Sequence, residues 1–164
     1  MQAADTRLDQ LAHSEASLPA TKQVNELTEK LAELNTDVVN AATELSDLER
    51  EVRKAEDEVD QVRKRTTKDQ QLLDSGSITS GKQLEEIQHE IASLLRRQGD
   101  LEDAQLEVME RAEESQNVVD RLKEAVAKAE AERAEVQAVQ EAALAEIVAE
   151  RSEVLARRED LVSG

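Results

Sequence analysis

The 164-residue sequence contains no Phe, Tyr or Trp, no Cys, one Pro and four Gly. Each shortage excludes something. A thick globular core without aromatics is unexpected, because aromatic side chains carry much of the buried area in such cores. Without aromatics there is also no platform on which bases can stack, so sequence-specific single-strand binding by this chain alone is not expected. The absence of Cys removes disulfides, thiol nucleophiles and Cys-ligated metals from the chain. The longest wholly apolar runs are three to four residues. No segment can span a bilayer or act as a secretory leader, so a cytoplasmic protein without membrane contact is expected.

What is present is equally one-sided. Ala, Glu, Leu, Lys and Arg make up just over half of the chain. That bias toward strong helix formers marks a coiled coil or long helix. Acidic residues outnumber basic ones 38 to 21, and the net charge is −17. An acidic surface of this kind repels nucleic acid and anionic membranes.

Alternating steps of three and four from Val24 visit Val24, Leu27, Leu31, Leu34, Val38, Ala41, Leu45, Leu48, Val52, Ala55, Val59 and Val62. All twelve are apolar, the a and d positions of a heptad repeat. A period of 3.5 residues favours a left-handed supercoil, and so narrow a stripe suits a partner helix. The same stepping from Leu84 to Leu161 visits 23 positions, of which 16 are apolar. The exceptions are Gln98, Gln105, Ser115, Arg133, Gln140, Glu150 and Arg157. Polar seam residues cost stability but help to fix register. Around Leu95, Leu106 and Met109 the stripe widens, through local repacking or to meet a second partner. Gly99 interrupts the same helix at a cost of about 1 kcal/mol relative to Ala, and a bend is expected there.

Between the two seams lies Asp74-Ser75-Gly76-Ser77-Ile78-Thr79-Ser80-Gly81, the one loop signal in the chain interior. Ser80 followed by Gln83 reads as a capping box. A short loop between two long heptad helices implies an antiparallel hairpin. The expected class is all-α, one coiled-coil hairpin domain over residues 1–164. It comprises a short helix about 4–17, a long helix about 19–73, a tip loop 74–81 and a long helix about 82–161. The long helices would measure roughly 80 Å and 120 Å at 1.5 Å per residue. With the turn centred near Ile78, facing residues would have numbers adding to about 157. The tail of the second helix then outruns the first. The short helix, with Leu8 and Leu11 inward, is expected to cover it. Ser17-Leu18-Pro19 breaks the chain there, since Pro suits a first turn but cannot continue a helix. The heptad phase slips by one residue between Leu18 and Val24.

Catalytic signals are missing. No phosphate loop, nucleophile elbow or metal-spaced cluster occurs, and a hairpin offers no pocket that desolvates a reacting group. His13 and His89 are the only histidines, and His89 falls opposite the Ile87/Ile91 seam, where it is solvated. A non-enzyme without catalytic, cofactor or metal residues is expected. Residues 63–97 do stand out: seven bases (Arg63, Lys64, Arg65, Lys68, Lys82, Arg96, Arg97) against five acids, +2, leaving −19 for the rest. This is the candidate contact patch, suited to an acidic protein or a phosphate backbone. The plainer reading is interhelical pairing, for example of Asp60 with Arg96 or Arg97.

Particular blocks resemble a known family. They are Asp5-Thr-Arg-Leu-Asp-Gln-Leu-Ala-His13 with Leu18-Pro19, the tip block Ser75-Gly76-Ser77-Ile78, and Lys82-Gln83-Leu84-Glu85-Glu86-Ile87-Gln88-His89-Glu90-Ile91. Leu94-Leu95-Arg96-Arg97 and Leu106-Glu107-Val108-Met109-Glu110 continue the likeness. Together they resemble bacterial, actinobacterial-type coiled-coil hairpin proteins that carry a C-terminal C4-type zinc ribbon. The resemblance implies a non-enzymatic adaptor with protein partners, in the family a sigma factor and secretion or flagellar components, and alternatively RNA binding. It also implies zinc, held by Cys-x-x-Cys pairs soon after Leu161. The sequence stops at Gly164 without them, so zinc is expected only in a ribbon this chain lacks. A monomer or weak homodimer is expected. A plain spacer arm cut from a larger machine would lack the tip block.

Overall fold

The computed structural model describes residues 2–163. Its elements are α1 (Gln2–Ala16), α2 (Pro19–Asp74) and α3 (Gly81–Ser163), with no strand among the described residues. The fold is an all-α coiled-coil hairpin. Its helix ends follow from local chemistry. Ser17 folds back on α1, its N–H and Oγ both donating to the His13 carbonyl at 3.0 and 2.7 Å. Pro19 then opens α2, where its missing N–H costs no helical bond. At the far end of α2 the Ser75 N–H donates to the Gln71 carbonyl, and Gly76 adopts φ +68°, the left-handed cap that ends many helices. Ser80 caps α3, its Oγ accepting from the Gln83 N–H at 3.5 Å.

The chain divides into two compact units, Met1–Asp37 with Leu122–Gly164, and Val38–Arg121. In the second unit the seam buries Leu48, Val59 and Val62 of α2 against Ile87, Ile91 and Val119 of α3. Ion pairs flank it. Arg63 reaches Glu102 at 2.5 Å, Arg65 reaches Glu90 at 2.7 Å, and Arg111 reaches Glu51 at 3.5 Å. In heptad terms the first is an e–e pair and the other two are g–g pairs, the pattern of antiparallel helices. All three agree with one register, in which facing a and d residues have numbers adding to 160. Leu73 then layers with Ile87, and Val59 with Leu101.

The expected sum was about 157, so the pairing lies three residues further along. The cause is an asymmetric tip. α2 ends at Asp74, and residues 75–80 run on before α3 begins. Residues 81–86 are all exposed, and Ile87 is the first buried residue of α3. Leu84, expected to begin the second seam, has no facing layer on α2 and is 37% exposed. Gly99 lies inside uninterrupted α3.

In the first unit, Leu31 and Ala129 are both buried and stand in the same layer. α1 lies antiparallel to the α3 tail. Asp5 pairs with Arg158 at 3.3 Å, Arg7 with Glu150 at 2.5 Å, and Glu15 with Arg151 at 2.5 Å. Leu11 is the buried residue of α1. Arg157 and Leu161, counted as seam positions from their spacing, are exposed.

Leu48 is 5% exposed and Leu106 is 58% exposed. Leu48→Ala should cost roughly 2–5 kcal/mol of stability. Leu106→Ala should stay within about 0.5 kcal/mol. Urea denaturation at low protein concentration checks both.

Candidate functional site

The tip cations meet different fates. Lys64 pairs with Asp60 on its own helix at 2.7 Å. Arg65 donates to Glu90 across the seam and to Asp69 within α2, at 2.7 and 3.3 Å. Arg63 is held by Glu102. Asp60 is thus satisfied one turn away and does not reach Arg96 or Arg97, contrary to the pairing read from the sequence. A neighbour four residues along the same helix is always within reach, whereas a partner across the seam must also match in register.

Lys68, Lys82, Arg96 and Arg97 have no carboxylate within 4.0 Å among the described residues. The register explains Arg97. It occupies the g position facing Arg65, and Arg65 leans the other way, toward Glu90. Arg96 and Lys82 lie on the outward f row of α3, with His89 midway between them. Lys68 projects from α2, one turn beyond Arg65. All four are exposed. The seven bases therefore separate into three neutralised residues and four free ones. The free ones occupy a flank and an outer row rather than a single cleft.

Asp69 is the residue that the spacing argument missed. It is 5% exposed, the one buried charged residue among those described. The three-four stepping does reach it if carried past Val62 through Thr66, Asp69 and Leu73, so the signal was present. It stands in the layer of Ile91 and is tied to Arg65. A charged group in a seam costs stability and penalises slipped registers that would bury it without its partner.

The ion pairs bias titration at the surface. Gln98 donates to Glu102 at 2.9 Å, and this bond, followed by that from Arg63, holds the Glu102 carboxyl below its ordinary value. The Arg65 guanidinium is raised by its bonds to Asp69 and then Glu90, and the Lys64 ammonium by Asp60.

One concave spot is a cleft of mixed lining between α2 and α3, at Glu49, Val52, Arg53, Glu56, Met109 and Ala112. Among the described residues no group of three or more His, Asp or Glu is placed to hold a metal ion. A C4 zinc site does not fit a chain with no Cys. No helix among the described residues is long and apolar enough to cross a membrane.

Residues 1–164 match the family described as the CT398-like coiled coil hairpin domain. The chain belongs to that family. Similar curated proteins occur in two strains of Mycobacterium tuberculosis, both uncharacterized. Each is 36% identical over 159 residues, covering 97% of this chain and 64% of the relative. An uncharacterized Mycobacterium leprae protein is 34% identical over 113 residues, 69% of this chain and 48% of its own length. A solved structure from Mycobacterium smegmatis superposes with a TM-score of 0.84 at 35% identity, covering 98% of this chain and 66% of that one. The chain spans less than two thirds of the length of the curated relatives it matches first. The family is one of coiled-coil hairpins, which is not a typical enzyme fold.

The lowered Glu102 value has a testable sign. Its contribution to holding α3 against α2 is complete above the ordinary carboxylate range, and is lost as pH falls through its own depressed value. Carboxyl-carbon NMR should find Glu102 titrating below the ordinary glutamate value. Gln98→Ala and Arg63→Gln should each move it back up.

Proposed function

We propose that the protein is a non-enzymatic adaptor that presents its hairpin tip to an acidic surface on a protein partner. The observation that carries this reading is the set of four unpaired cations, Lys68, Lys82, Arg96 and Arg97, at one end of a chain whose net charge is −17. An exposed charge without a local partner keeps its field available for an incoming one, speeding encounter and selecting for opposite sign. Beside them, Leu72 and Leu84 are 45% and 37% exposed and supply apolar contact. RNA is the less favoured partner. Four free cations with no aromatic side chain are a small footprint for a polyanion, and the rest of the chain repels it. A cytoplasmic setting and a zinc ribbon in the part of the relatives beyond the matched segment belong to the same proposal. Cys-x-x-Cys pairs in that part, with one bound zinc per chain by elemental analysis, are the expected finding.

A photo-crosslinking residue placed at Ser77 should label a discrete protein in host cells, and one placed at Lys128 should not. Combining Lys68→Glu, Lys82→Glu and Arg97→Glu with the Ser77 probe should remove that adduct. Equal labelling from both positions, or an adduct indifferent to the charge reversal, would overturn the tip as the contact. An adduct containing RNA instead of protein would transfer the patch to the alternative reading.

A further inference from the structure

One flank of α3 in the unit Val38–Arg121 leaves several apolar side chains largely open to solvent. Leu95 and Met109 stand at e positions, and Ala92, Gly99 and Leu106 at the neighbouring b positions. Leu95, Leu106 and Met109 are 53%, 58% and 43% exposed. Gly99 weakens the helix relative to Ala, yet a Cβ there would meet nothing within 4 Å. No contact within the chain requires glycine at this position. A glycine on an exposed helix face lets another chain approach closely.

The adjoining f row has a charge order of its own. Lys82, His89, Asp103 and Glu110 all fall on it, with Arg96 at the centre, seven residues apart. Read toward the C-terminus, the row runs from basic to acidic. Such a row is complementary to itself when reversed.

We propose that this flank pairs with the same flank of a second copy, antiparallel, about a twofold axis between Asp100 and Leu101. The contact is isologous, so each interaction occurs twice. Leu95 then packs on Leu106 of the other copy, and Ala92 on Met109. Gly99 makes room for Glu102, which stays tied to Arg63 and Gln98 of its own chain. Arg96 lies between Asp103 and Glu110 of the other copy, and His89 faces Glu110. The reversed arrangement places opposite charges together, whereas a parallel one would place Arg96 beside Arg96 and Glu110 beside Glu110. The charge order therefore selects the antiparallel form.

This pairing shares Arg96 with the adaptor reading but is tested apart from it. Its test leaves Lys68, Lys82 and Arg97 intact, so either proposal can fail alone. Sedimentation equilibrium of the intact chain should show a reversible dimer. Leu106→Glu should abolish it, with helicity and Tm in dilute solution unchanged because the side chain is exposed. Arg96→Glu should weaken the dimer about tenfold or more. Adding Asp103→Arg and Glu110→Arg to Arg96→Glu should restore it, since position 96 again faces the opposite charge at positions 103 and 110 of the other copy. A chain that stays monomeric near millimolar concentration overturns the proposal and leaves the flank to a different partner. A dimer unmoved by Leu106→Glu, or not rescued by the charge swap, overturns it as well.

Discussion

The constraint on which the structure depends is the thinness of a two-helix seam. Only two residues in seven can point at the partner helix. No large side chain is fully buried among those described. Stability is therefore spread along many half-buried Leu, Val, Ile and Ala side chains. Aromatics have no thick layer to fill, which accounts for their absence. Most of the remaining surface is open to water, so what it displays is unconstrained by the core.

A seam of similar aliphatic residues does not by itself say which layer meets which. The flanking charges do that. The e–e pair and the two g–g pairs are satisfied together in only one register. Asp69, buried and tied to Arg65, adds a penalty for slipping. The same arithmetic decides which cations are left over at the tip. Arg65 can satisfy Glu90 or confront Arg97, and with the carboxylate available it turns away from the cation. The free charge of Arg97 is thus a by-product of how the register is held, whereas Lys82 and Arg96 are free because their row faces outward.

Much of this could be read from the residues alone. All twelve seam positions from Val24 to Val62 are buried or half-buried. The break at Ser17-Leu18-Pro19, the left-handed cap at Gly76 and the cap at Ser80 follow from local preferences that no tertiary contact overrides. The three-residue register difference could not be read. It depends on how a six-residue loop crosses the tip, and spacing along each helix carries no information about that. Asp60 was misassigned for a related reason: charge counts show how many partners exist, not which lies within reach. The family likeness in the tip block did identify the hairpin. The free cations needed the register as well as the composition.

The short α1 has a consequence of another kind. It is held to the tail of α3 by one buried leucine and three ion pairs, and two residues separate it from α2. Surface ion pairs of this type contribute little each. Little else ties α1 down, so it should open more readily than α2, whose contact with α3 is far longer. Such an opening would bare the aliphatic stripe around Ile147 and Val154 to solvent. Amide hydrogens of α1 then exchange on a timescale of their own, and anything that recognises that stripe gains access only for the lifetime of the open state.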